Sequence, residues 1–88
     1  MLEKTITITN NDGLTSRTAA IFVQTANQFR SQILVKQGNQ MINAKSIMGV
    51  LSLGIARSKP ITLIVKGEDE ERAMEVMTEL VENSFQQV

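Results

Sequence analysis

The chain opens on a strict alternation, Thr5-Ile6-Thr7-Ile8-Thr9, rich in β-branched residues, which predicts a half-buried strand. Asn10-Asn11-Asp12-Gly13 gathers turn formers and ends it. Thr15 and Ser16 can each cap a helix running to about Phe29, with Ala19, Phe22, Val23 and Ala26 on its apolar stripe. Ile33-Leu34-Val35 predicts a second strand, Gly38-Asn39 a hairpin turn, and Met41-Ile42-Asn43 a short third strand. Ser46 suits the N-cap of a short helix through Leu53 that Gly54 can close. Pro60 opens a fourth strand in which Ile61, Leu63 and Val65 alternate with Thr62, Ile64 and Lys66, although Ile64 blurs the pattern. In the last helix Ala73, Val76, Met77, Leu80, Val81 and Ser84 share one face, and Glu68-Asp69-Glu70-Glu71 put negative charge in a first turn that favours it. The order β-α-β-β-α-β-α predicts an α+β open-faced β-sandwich: one four-stranded antiparallel sheet covered on one face by three helices.

Composition narrows the chemistry more than it narrows the fold. The 88 residues are 42% hydrophobic and 20% charged, the profile of a single small globular domain. There is no histidine, cysteine, tryptophan or tyrosine. Cys/His zinc sites, cysteine nucleophiles, Ser-His-Asp triads and phosphohistidine relays all lack an essential atom. With three Phe as the only aromatics, no base-stacking platform for single-stranded nucleic acid is available. The nine basic and nine acidic side chains cancel but are not mixed. Seven of the nine carboxylates fall in the last 21 residues, while the first 67 carry eight Lys/Arg against Glu3 and Asp12. That split suits a basic face and an acidic face that meet charged partners, or equally the ordinary solvated surface of an acidic helix. No signal-peptide pattern opens the chain and no apolar run approaches the ~20 residues that cross a bilayer, so a cytoplasmic protein is expected.

One segment is more specific than any of this. Asn43-Ala44-Lys45-Ser46-Ile47-Met48-Gly49-Val50-Leu51-Ser52-Leu53-Gly54 resembles the regulatory segment of HPr, the histidine-containing phosphocarrier of the bacterial sugar phosphotransferase system. Gly13-Leu14, Phe22-Val23-Gln24 and Gly67-Glu68-Asp69-Glu70 extend the resemblance over essentially all 88 residues. In that family the Gly-Leu or Gly-Ile pair is followed by the phosphorylatable histidine, a small residue, Arg and Pro. Here the stretch reads Thr15-Ser16-Arg17-Thr18, with Thr15 at the lost phosphohistidine position and Thr18 in place of proline. The pattern is similar to a branch of the family, the catabolite repression HPr-like proteins, which keeps the serine and lacks the histidine. That branch usually has glutamine at the histidine position and retains the proline, so Thr15 and Thr18 depart from it too.

The resemblance implies a regulatory phosphoprotein of carbon catabolite repression rather than a phosphocarrier or an enzyme. Ser46 would be phosphorylated by HPr kinase/phosphorylase, and the phosphorylated protein would act as corepressor of the transcription regulator catabolite control protein A. By position alone a serine opening a helix is an ordinary cap; the motif around it is what points to modification. Ile47, Met48 and Leu51 would form an apolar patch beside it that contacts partners, while Val50 and Leu53 belong to the core. Arg17, at a helix start where the dipole gives a cation nothing, is assigned to partner binding, and Lys45 to a secondary role there. Thr15 is read as a helix cap. No cofactor, metal, membrane or direct nucleic-acid contact is expected, and a homodimer is compatible with the chain. Two rival readings stand beside this one: a small acylphosphatase-like enzyme using Arg17 and Asn43, and a metabolite-binding module.

Overall fold

The structure, a computed structural model, describes residues 1–7, 15–53 and 60–83. Its elements run β1 (Leu2–Thr7), α1 (Ser16–Ala26), β2 (Gln32–Gln37), β3 (Gln40–Asn43), α2 (Ile47–Leu53), β4 (Pro60–Lys66) and α3 (Glu70–Glu82). The four strands form one antiparallel sheet in the order β1-β4-β2-β3, with β4 in the middle beside both β1 and β2. This is the expected HPr-like open-faced β-sandwich.

Strand alternation decides what the sheet covers. Ile61, Leu63 and Val65 of β4 lie opposite Ile6, Lys4 and Leu2 of β1, and Leu63 and Val65 lie opposite Val35 and Ile33 of β2. All but Lys4 and the half-buried Leu2 are buried on this face, beneath Phe22 and Val23 of α1, Val50 and Leu53 of α2, and Met77 and Val81 of α3. The intervening residues, Thr62, Ile64 and Lys66 with Leu34 and Lys36, stand on the uncovered side. Ile64 is half-buried there, which is why the apolar pattern of β4 looked blurred.

The elements differ from expectation at several ends. β1 starts at Leu2, because pairing with β4 runs unbroken from Leu2↔Val65 to Thr7↔Pro60; an edge strand follows its partner's hydrogen-bonding groups, whatever its own alternation. Ile8, Thr9, the 10–13 turn, Gly54 and Ser84 lie outside the described residues. α1 ends at Ala26 rather than near Phe29. There the backbone tightens, Gln28 N donating to Thr25 O and Phe29 N to Ala26 O, and the Asn27 amide caps Val23 O at 2.9 Å. Phe29 remains in the core without being helical.

Just beyond, Arg30 N and Ser31 N each donate to the Asp69 carboxylate at 2.9 Å, and the Ser31 hydroxyl donates to the same carboxylate. That use of Asp69 explains the start of α3. The helix begins at Glu70, not Glu68, and Asp69 occupies its N-cap without making a side-chain cap bond. Gly67, at φ 151°, lets the chain cross Ser31 so closely that a Cβ would sit 2.7 Å from its Cα. Because α3 packs on β1 as well as on β4 and α1, its buried stripe widens to Met74 and Thr78, and Val76 moves to the rim.

The predicted division into a basic and an acidic face does not hold. The acids do concentrate on and just before α3, but Lys36 and Lys66 stand on the uncovered sheet face while Lys4 lies on the helix side of β1. Each strand base takes the face set by its place in its own strand's alternation, so Lys4 falls on the side opposite to Lys36 and Lys66.

Candidate docking site

The site is built on the sharp passage from β3 into α2. Ala44, fully buried, anchors it by donating to Ile33 O at 2.9 Å. The Asn43 side-chain oxygen accepts from Lys45 N at 2.9 Å and its carbonyl from Ser46 N at 3.0 Å, so one residue turns the chain. Ser46 then starts the helix: its Oγ accepts from Gly49 N at 3.2 Å and its carbonyl from Val50 N at 2.9 Å. The serine is half-buried, and its hydroxyl is spent on the cap that its position foretold.

With Val50 and Leu53 pointing into the core, a seven-residue helix must turn its other side outward. Ile47, Met48 and Leu51 are 38%, 75% and 40% exposed. The serine and these three apolar side chains thus share one short element, with the hydroxyl at its head and the apolar surface along its flank.

Lys45 is placed differently. Its ammonium donates to Phe29 O at 2.6 Å, and its own carbonyl accepts from the Asn27 amide at 3.2 Å. The residue therefore stitches the end of α1 to the start of α2, a structural tie that its sequence position did not disclose. Asn27 and Phe29 belong to the same stitch, and only their proximity in space reveals it.

At the head of α1, Thr15 and Thr18 form a reciprocal capping box. Thr18 N donates to Thr15 Oγ1 at 3.3 Å, and Thr15 N donates to Thr18 Oγ1 at 2.8 Å. Thr15 is exposed and serves as the cap. Arg17 is exposed in the first turn of α1, a helix that packs against α2. Among the described residues no hydrogen bond or ion pair joins Arg17 to Ser46 or to Asn43. The patch and the serine are brought together by one helix; Arg17 reaches them only through the packing of two. No group of three or more metal-ligating side chains occurs among the described residues.

A four-stranded antiparallel sheet carrying three helices on one face, with a capped serine and an apolar flank on the second helix, defines an HPr-like protein. The family model described as "PTS HPr component phosphorylation site" matches residues 2–83, and the chain belongs to this family. It is 45% identical over 82 residues to the HPr-like protein Crh of Halalkalibacterium halodurans, a match covering 93% of this chain and 98% of the relative. The crystal structure of HPr-C-His from Thermoanaerobacter tengcongensis superposes with a TM-score of 0.94 at 46% identity, over 100% of both chains. The crystal structure of Bacillus subtilis Crh, described as a dimer with a swapping domain, gives 0.77 at 38% identity over 99% of this chain and 100% of that one.

Proposed function

We propose that this protein is a regulatory phosphoprotein of carbon catabolite repression, phosphorylated on Ser46 by HPr kinase/phosphorylase and then docking on catabolite control protein A as its corepressor. The observation that carries the reading is the pairing, on one short helix, of Ser46 with the exposed Ile47, Met48 and Leu51, in an HPr-family chain with no histidine. Both Crh and HPr relatives are similar to it, and the missing imidazole favours the first. A phosphoryl relay needs an acceptor that passes its phosphate on, as a phosphoramidate does; a phosphate on Thr15 would be a stable ester and stall it.

Phosphorylation adds about −1.5 to −2 charges and three acceptor oxygens at a helix start, where first-turn amides and the local dipole favour an anion. The apolar flank supplies area, and the phosphate supplies the condition for binding. The regulator is shifted toward whichever of its states binds this composite surface more tightly. Arg17 completes the surface from α1, and Lys45 acts on it chiefly by holding the start of α2. The reading places the protein in the cytoplasm, where kinase and regulator are; no helix among the described residues is long and apolar enough to cross a membrane. A homodimer belongs to the same reading, by similarity to the Crh dimer, and sedimentation or light scattering tests it.

The deciding experiment is incubation with the kinase and ATP, mass mapping of the product, and titration of modified and unmodified protein against the regulator. Phosphate on Ser46 together with much tighter binding of the modified form is the expected result. Equal binding by both forms would sink the serine switch. Turnover of a model acyl phosphate would instead favour an enzyme built on Arg17 and Asn43, and a metabolite screen addresses a binding module.

A further inference from the structure

Glycine inside a helix weakens it relative to alanine, so a helical glycine calls for a reason. Of the glycines among the described residues, Gly38 turns the chain between β2 and β3 at φ 57°, and Gly67 crosses Ser31 where a Cβ has no room. Neither reason applies to Gly49. It lies within α2, and a Cβ on it would stand 3.4 Å from Ser46 Oγ and 3.5 Å from the Cβ atoms of Ser46 and Ile42, ordinary contact distances. The fold can therefore accommodate a methyl group at this position, and the helix would be firmer with one. What the methyl would change is the surroundings of a single atom. Gly49 N already donates to Ser46 Oγ at 3.2 Å, so Gly49 forms the wall beside the serine hydroxyl. Ile42, half-buried on β3, borders the same notch.

We propose that Gly49 is a positioning residue for the phosphorylation of Ser46: its amide holds the serine oxygen in place, and its lack of a side chain leaves that oxygen open to phosphoryl transfer. The proposal rests on the reading of Ser46 as the kinase's substrate. In that step Ser46 Oγ attacks the γ-phosphorus of ATP, and the Oγ–P bond forms as the bond to the β–γ bridging oxygen breaks. ADP leaves with that electron pair, and the serine proton passes to a base of the kinase. The phosphorus arrives with three oxygens spread around the axis of transfer, so Oγ needs clear space on the side of attack. One lone pair of Oγ is already engaged by Gly49 N, and the serine is half-buried. A carbon in contact with Oγ would close the directions of approach on its own side of the atom. It would leave the flank of Ile47, Met48 and Leu51 as it is, and so it acts on the transfer of phosphate rather than on capture by the kinase.

The test compares the full chain with its Gly49→Ala variant in two measurements: thermal unfolding, and steady-state phosphorylation by the kinase with ATP over a range of protein concentrations. Gly49→Ala is expected to raise the unfolding temperature, as alanine in place of a helical glycine does. It should keep KM within about twofold of the parent and lower kcat about tenfold or more, the mark of a contact that disturbs only the reacting geometry. A role in the fold alone would move stability and rate in the same direction. Ser52→Ala is the control for helix stiffness. Ser52 Oγ donates to Gly49 O at 2.7 Å, and alanine there firms α2 by propensity while adding nothing beside Ser46 Oγ, so kcat and KM should both stay within about twofold. Equal slowing by Ser52→Ala would trace the effect to a stiffer helix and overturn the proposal. An unchanged kcat in Gly49→Ala, a loss confined to KM, or a fall in its unfolding temperature would each overturn it as well. A parent that takes no phosphate on Ser46 overturns the serine switch itself, whereas a phosphorylated parent matched in rate by Gly49→Ala overturns only the part given to Gly49.

Discussion

Ser46 Oγ caps its helix, and in the proposed function it also takes the phosphate; substitutions can separate the two roles. As a cap, Oγ satisfies Gly49 N, and Ser46→Ala leaves that amide to water at a cost of about 0.5–2 kcal/mol. Ser46→Asp keeps a capping oxygen but brings less charge and fewer acceptors than a phosphate, so near-native stability with weak regulator binding is expected. The apolar flank behaves oppositely. Met48→Ala and Leu51→Ala leave no cavity because both side chains are exposed, and thermal unfolding should place them within about 0.5 kcal/mol of the parent. Their loss should appear instead as about 1 kcal/mol or more of binding to the regulator by the phosphorylated protein. Normal binding by a well-folded double variant would leave the charge alone to explain recognition. Thr15→His tests the lost relay. It restores an imidazole but breaks the capping box, and Thr18 still stands where the family has proline, so a destabilisation of about 1 kcal/mol and little phosphoenolpyruvate-dependent phosphorylation are expected.

Among the elements, the junction of α1, β2 and α3 carries the most specific chemistry. Asp69 receives the Ser31 hydroxyl and the Arg30 and Ser31 amides, and these bonds hold its carboxyl down from the ordinary 3.8 to about 2. Glu70 is also lowered, first by the Gly67 amide it accepts from and then by the N-terminal ammonium 3.0 Å away. A carboxyl lowered by folding stabilises the native state fully above its unfolded value and loses that contribution as pH falls through its folded one. For Asp69 the window lies between about 4 and about 2. Asp69→Asn should lower the unfolding temperature at neutral pH, since an amide presents N–H groups to donors that need an acceptor. It should also flatten the fall in stability across that acid window. Parallel acid titrations of parent and variant by circular dichroism would reveal an unchanged slope, which is the contrary result.

The fold rests on one core between the helix layer and one face of the sheet, with Phe22 the largest fully buried side chain among the described residues. Phe22→Ala should cost about 3–5 kcal/mol. Set against the ~5–15 kcal/mol that holds a typical domain together, this leaves a protein close to its unfolding threshold, and chemical denaturation would read it directly. A midpoint shift as small as that of Met48→Ala would mean the core can collapse around the void. Among the described residues the other side of the sheet carries no helix, and Leu34 and Ile64 stand half-buried there among Thr62, Lys36 and Lys66. One face of the sheet holds the fold, and the helix layer on that face carries the surface proposed to meet partners.

Short-range rules are enough to recover every strand and helix in order, because periodicity and turn chemistry are local: the alternation of Ile61, Leu63 and Val65 and the spacing of Ala73, Met77, Leu80 and Val81 each report a buried face without reference to anything distant. The serine segment and the missing histidine were equally open to reading, since a linear motif is its own signal. What lay beyond reach were relations between residues far apart in the chain. Asp69, 38 residues from Ser31, keeps the N-cap position of α3 but spends its carboxylate on another turn instead of a cap bond. Lys45, 16 residues from Phe29, spends its ammonium on a backbone carbonyl. Thr78 is buried because β1, the first strand, packs beside α3, the last helix. A polar side chain takes the partner that folding brings within about 3 Å, and that choice depends on the packing of whole elements rather than on its neighbours in sequence.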